Sequence, residues 1–268
     1  MNARKSSLSI DLNSDLGEGF GIYEIGSDSE ILKIVSSANV ACGMHAGDPH
    51  IMSKTFAQAK ELGVNVGAHP GYPDLWGFGR REMAFTPKEI EEFVAFQIGA
   101  SMGVSTYVGH PITYVKPHGA LGNLSQVNEV VAGAIVRAMV AVNRDLILLT
   151  FPDGCAMRIA KELGIRTCAE IFADRAYNPD GTLVSRKLPG AVLHDPEEVA
   201  SRVLRMVQAG AVEAINGTHL PMEIGSVCVH GDSPGAISMA QAIRAKTTTA
   251  EIAPARMTAP FPCAVSAA

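Results

Sequence analysis

The chain has 268 residues, 47% of them hydrophobic and 18% charged, which is enough apolar content for a full core and too much for a disordered chain. Its 22 Lys and Arg against 27 Asp and Glu leave a formal net charge of −5, and no basic cluster exceeds Arg80–Arg81. Nucleic acid and anionic membrane surfaces are therefore unsuited partners, and a small molecule or a protein is expected. Cys42, Cys155, Cys168, Cys228 and Cys263 form no CxxC pair and read as reduced core thiols.

Short apolar runs alternate with stretches of helical period, the βαβα signature of a parallel sheet. A first strand at Leu8–Asn13 leads to a capping-box pattern, Ser27-Asp28-Ser29-Glu30. A second, Asn39–Cys42, precedes a helix capped by Asp48 before Pro49, with Met52, Phe56 and Ala59 on one face and Gly63 as its stop. Val64–His69 is the third strand, and Thr86-Pro87-Lys88-Glu89 opens the following helix. Strands at Ile112–Lys116, Leu146–Thr150 and Arg166–Ile171 follow, with Gly164 ending the helix before the last of these. Asp195-Pro196 then starts a helix whose buried stripe is Val199, Val203, Met206 and Val207. Ala211–Gly225 has room for a small hairpin, Ser226–His230 is the seventh strand, and a last helix runs from Ser233-Pro234 to about Ala245. Residues 1–246 read as one β/α domain, and 247–268 as an Ala/Pro-rich tail that packs loosely or extends onto a neighbour.

The strands favour a closed barrel over an open, doubly wound sheet. In the first, Leu8, Ile10 and Leu12 alternate with Ser9, Asp11 and Asn13, so one face is apolar and the other polar. A sheet covered by helices on both faces would be apolar throughout. The expected fold is α/β, a distorted seven-stranded β/α barrel of TIM-barrel-like type with a polar interior. Residues 1–7 lack the apolar stretch of a signal peptide, and the most apolar window, Val130–Phe151, is broken by Arg137, Asn143, Arg144 and Asp145. A cytoplasmic protein with no membrane insertion is expected.

Barrels of parallel strands gather their chemistry at the carboxyl ends of the strands. Here those ends carry Asp11, Asn13, Asp15 and Glu18, then His45 and Asp48, His69 and Asp74, Lys116 with His118, Glu170 followed by Asp174 and Arg175, and His230 with Asp232. Asp48 is most simply an N-cap, His50 a solvated side chain, and His110, His194 and His219 structural, since they lie away from strand ends. Four strand termini ending in histidine are hard to explain by packing, so His45, His69, His118 and His230 are read as functional. A buried Lys116 requires a carboxylate or a bound anion. Two glycine-rich loops, Ser14–Gly26 and His69–Phe85, would cover the mouth, and the second offers Arg80 and Arg81. Neither is a Walker A loop, so ATP binding by this chain alone is unsupported.

The stretches DLNSDLGEGFG (Asp11–Gly21), SANVACGMHAGDP (Ser37–Pro49), GAHPGYPD (Gly67–Asp74), KPHGAL (Lys116–Leu121), FADRAY (Phe172–Tyr177) and VHGD (Val229–Asp232) resemble the LamB/YcsF family, over about Ser9 to Arg244. Met44 and Gly122 stand where that family commonly has Phe and Tyr, the second change removing an aromatic wall near strand four. The resemblance implies a distorted barrel of the polysaccharide-deacetylase type. It also implies opening of the cyclic amide 5-oxoproline to glutamate, with ATP as co-substrate bound by partner 5-oxoprolinase subunits B and C. On that reading Asp11 or His45 is the general base and His69 or His230 protonates the ring nitrogen. Lys116 and His118 steady the oxyanion, with Asn13, Asp15, Glu170 and Asp232 around them, and Arg80, Arg81 or Arg175 holds the substrate carboxylate. Two alternatives stand beside it. One is a metal-dependent, deacetylase-like amide hydrolase with Asp11 or Asp15, His45 and His69 around a divalent ion. The other is a non-catalytic lactam-binding subunit.

Overall fold

The computed structural model describes residues 8–232 and 235–257. In chain order its elements are β1 (Ser9–Leu16), α1 (Asp28–Ile31), β2 (Ser37–Ala41), α2 (Pro49–Leu62), β3 (Asn65–His69), α3 (Pro87–Val108), β4 (Tyr114–Val115), α4 (Gly119–Val127), α5 (Glu129–Val142), β5 (Ile147–Thr150), α6 (Cys155–Glu162), β6 (Thr167–Phe172), α7 (Pro196–Ala209), β7 (Ala211–Glu213), β8 (His219–Pro221), β9 (Ser226–Val229), α8 (Ala236–Thr249) and β10 (Ala253–Pro254). Strands β1 to β6 pair in order, β6 pairs with β9, and β9 returns to β1, which closes a parallel barrel of seven strands. The expected hairpin forms outside it as the antiparallel pair β7–β8.

Alternation on β1 drives the closure. Ile10, Leu12 and Leu16 belong to the apolar layer shared with the helices, where Phe56, Ile98, Ile135 and Met139 are fully buried. The side chains between them point into the barrel, so Asp11, Asn13 and Asp15 are buried in its interior. A second apolar cluster, Tyr114, Ile147, Leu149, Cys168 and Met257, fills the rest of that interior. Tyr114 fits there because β3 carries Gly67 opposite it, where a Cβ atom would stand 2.3 Å from the Tyr114 ring.

The helix starts follow their caps. Asp48 accepts from the amides of His50 and Ile51 at 2.8 and 3.0 Å, Thr86 and Glu89 form a full capping box, and Asp195 accepts from the Glu198 amide at 2.7 Å. Ser27 departs from expectation and caps no amide. Its neighbour Asp28 accepts instead from the Gly17 amide at 2.8 Å, tying α1 to the loop after β1. Strand β1 continues to Leu16 because it stays paired with β2 as far as Val40, whereas β4 shrinks to two residues between Pro111 and Pro117. Helix α8 runs on to Thr249, and β10 then lies parallel to β1 instead of reaching away from the chain. The expected helix start at Ser233-Pro234, Cys263 and the tail from residue 258 lie outside the described residues. Among the described residues, no single helix is long and apolar enough to cross a membrane.

Candidate functional site at the barrel mouth

A cavity of about 540 Å³ opens at the carboxyl ends of the strands, with Asp15, His69, Lys116, His118, Glu170 and His230 on its walls. Lys116 forms the floor. Its Nζ lies 2.7 Å from Asp15 Oδ1, 3.0 Å from Glu170 Oε1 and 3.1 Å from Cys228 Sγ, and it is buried. Burial opposes that charge, but Asp15 above all outweighs it and lifts the ammonium well above its ordinary range. Burial likewise opposes ionisation of Asp15, yet Lys116 and His69 hold its carboxyl well below the usual range. Glu170 is pushed up by burial, against the pull of Lys116. Asn13 ties these groups together, donating to Glu170 at 2.9 Å and to Ser226 at 2.7 Å while accepting from Asn39 at 2.6 Å.

One wall carries His69 and His118, with His45 packed behind them. His45 stacks on His118 with ring centres 3.7 Å apart and an interplanar angle of 4°, and both meet His69 edge-on. His45 Nε2 lies 3.2 Å from Glu18 Oε1, and its Nδ1 is buried without a partner. The stack is possible because Gly71 backs it, where a Cβ would stand 2.6 Å from His45 Nδ1. Burial first, then the charges of His118 and His69, push His45 well below the ordinary imidazole range. Burial, with Asp15 and Asp232, pushes Glu18 well above the carboxylate range.

The opposite wall carries a different device. His230 Nδ1 sits 2.8 and 2.9 Å from the two oxygens of Asp174, so it donates there, and Nε2 faces the cavity 3.2 Å from Arg186 Nη2. Asp174 is buried, but the charge of His230 outweighs that cost and lowers its pKa. Phe172 stacks on the imidazole at 5.4 Å and fixes its plane.

Several residues singled out from the sequence belong elsewhere. Asp11 is fully buried and accepts from Ser37 at 2.7 Å and from Ser226. It lies four residues below Asp15 on β1, about 13 Å along the strand, so it is not beside His45 and His69. The set of Asp11 with His45 and His69 is therefore not assembled. Arg81 pairs with Asp74 and has 63% of its side chain exposed, outside the cavity. Arg175 lines the cavity, but its guanidinium is spent on the carbonyls of Val184 and Ala191 at 2.6 and 3.3 Å. Arg80 does face the cavity, stacked over Phe78 and paired at 2.8 Å with Asp232, which thereby holds Arg80 at the rim. Sequence reasoning missed Arg186, and it placed Asp174 and Glu18 at strand ends without giving either a role. A carboxylate two residues after the strand-six end was a usable signal for Asp174, whereas Arg186 sits in an aperiodic loop.

The chain matches the LamB/YcsF family over residues 10–260. It is 55% identical to the A subunit of 5-oxoprolinase from Azorhizobium caulinodans, over 91% of this chain and 97% of that one. The crystal structure of the lactam utilization protein from Thermus thermophilus superposes with a TM-score of 0.88 at 42% identity, covering 93% of this chain and 100% of that one. The catalytic domain of a peptidoglycan N-acetylglucosamine deacetylase from Eubacterium rectale shares the fold alone, with a TM-score of 0.54 at 11% identity over 98% of this chain and 94% of that one. Barrel, mouth and sequence together make this chain a member of the LamB/YcsF family.

Proposed function

We propose that this chain opens the lactam ring of 5-oxoproline to give glutamate, as the A subunit of a cytoplasmic, ATP-dependent 5-oxoprolinase whose partner subunits B and C bind the nucleotide. The observation that carries the reading is the Asp174–His230 couple lining the same cavity as the buried Lys116. A lactam resists water because its nitrogen donates into the carbonyl, so opening it needs a base for water, a charge for the developing oxyanion and a proton for the departing nitrogen. With Nδ1–H given to Asp174, His230 Nε2 accepts from Arg186, and once Arg186 turns to the substrate carboxylate that lone pair takes a proton from water and returns it to the ring nitrogen. Lys116 supplies the positive charge on the floor. Arg186 has no carboxylate partner among the described residues, and with Arg80 beside it suits the substrate carboxylate better than Arg81 or Arg175. Phosphorylation of the amide oxygen by the partners would weaken the amide before water attacks, and the phosphoryl group would leave as inorganic phosphate when the product carboxylate forms.

Mixing the chain with subunits B and C and measuring glutamate released per ATP consumed tests the proposal. His230→Gln in that mixture should cut kcat by about 10²–10⁴-fold with little change in KM. Rapid ATP-driven opening by this chain alone would refute the division of labour, and a fully active His230→Gln enzyme would refute the role of the couple.

A further inference from the structure

Two imidazoles at the mouth aim bare nitrogens at each other. His69 Nδ1 is 2.7 Å from the Lys116 carbonyl and His118 Nε2 is 2.8 Å from the Phe78 carbonyl. A carbonyl oxygen only accepts, so each of these nitrogens carries its ring's hydrogen. The remaining nitrogens, His69 Nε2 and His118 Nδ1, hold lone pairs in the neutral rings and yet stand 2.9 Å apart. Such a pair repels unless a cation joins it.

The surrounding atoms have the spacing of a coordination shell. Glu18 Oε1 lies 3.4 Å from His118 Nδ1, and Asp15 Oδ2 lies 3.4 Å from His69 Nε2. Ligands bound tetrahedrally at about 2.1 Å from an ion stand about 3.4 Å from one another, a spacing that Glu18 and His118 already have and to which His69 and His118 must open from 2.9 Å. Glu18, His69 and His118 are all buried, and their ligand atoms, with that of His45, lie within 4.8 Å of one another. We propose that Glu18 Oε1, His69 Nε2 and His118 Nδ1 bind one divalent transition ion of the zinc class, with His45 holding Glu18 in place from behind. Neutral imidazoles with a carboxylate are the donor set that borderline ions prefer. The carbonyls of Lys116 and Phe78, which fix the far nitrogens, are the outer partners that ligating histidines ordinarily have. This set differs from the one read from the sequence: Asp11 is on the barrel floor, Asp15 is committed to Lys116, and Glu18 and His118 take their places. When bound, such an ion supplies a Lewis-acidic charge near Lys116. The inference concerns ion binding and stands whether or not the substrate is a lactam.

The test is titration of the full, chelator-dialysed chain with Co²⁺, read by visible d–d absorption and by melting temperature. One equivalent should produce the intense absorption of a four-coordinate site and raise the melting temperature. His69→Ala and His118→Ala should weaken binding at least about 100-fold, His45→Ala should weaken it about 10–100-fold, and His219→Ala, on the exposed β8, should leave it unchanged. Far-ultraviolet circular dichroism accompanies each variant to separate lost binding from lost folding. A flat titration of the wild-type chain overturns the proposal by itself, as do signals that persist in folded His69→Ala or His118→Ala.

Discussion

The floor and the mouth of the barrel are built from the same residue types and behave oppositely. On the floor, the Asp11 carboxylate receives Ser37 and Ser226, Asn13 divides its amide among Glu170, Ser226 and Asn39, and of the polar groups there Asn65 Nδ2 is left without a partner. At the mouth, imidazole nitrogens face each other, His45 Nδ1 has no partner, and Arg186 rests on an imidazole instead of a carboxylate. Burial alone does not mark function in this protein, since both layers are buried. What marks it is valence left open toward a cavity.

Lys116 joins the two layers, and removing it should break the comparison hardest. Lys116→Met leaves Asp15 and Glu170 buried with no counter-charge, which should cost about 3–5 kcal/mol of stability by chemical denaturation and abolish turnover. Asp11→Asn sharpens the contrast from the floor. Burial pushes the Asp11 carboxyl from 3.8 up to about 6, so the folded protein keeps a proton that the unfolded chain gives up. Its contribution to stability is full below pH 3.8 and is lost as pH rises through about 6. The variant should flatten that fall by about 1–3 kcal/mol in denaturation curves between those pH values, with turnover per folded molecule unchanged. A stable but inactive Asp11→Asn would return Asp11 to the site. Arg186→Met belongs to the mouth and should raise KM about tenfold, with kcat and melting temperature nearly constant, since Arg80 remains. Smallest of all is Arg81→Ala: losing an exposed pair with Asp74 should leave the melting temperature nearly constant, and KM should not move.

The barrel was legible because its code is local. Alternation along β1 assigned Asp11, Asn13 and Asp15 to the interior, and four strand ends finishing in histidine located the mouth. Depth was not legible, because a period of two says which face a side chain takes but not how far it lies from the rim, and this placed Asp11 too high. Nor could two adjacent arginines be told apart: Arg80 turns inward over Phe78 while Arg81 turns out to Asp74. Arg175 looked free because the loop carbonyls that occupy it are backbone atoms, which side-chain identities do not advertise. Arg186 lies in a stretch with neither helical nor strand period, and its approach to His230, 44 residues further on, is purely tertiary.

The position of β1 between partners from opposite ends of the chain has a consequence for how the protein is made. Asp11 is in register with Ser226, and Ser9 with Ala253. Strand β1 therefore leaves the ribosome 215 residues ahead of the partner that covers its second edge, with its acidic inward face meanwhile in water. Contacts that distant are slow to close, and a half-built sheet with an open edge invites pairing with other chains. Asp11, Asn13 and Asp15 are poor material for such pairing, so the polar lining that later surrounds the cavity first serves the nascent chain as protection against aggregation.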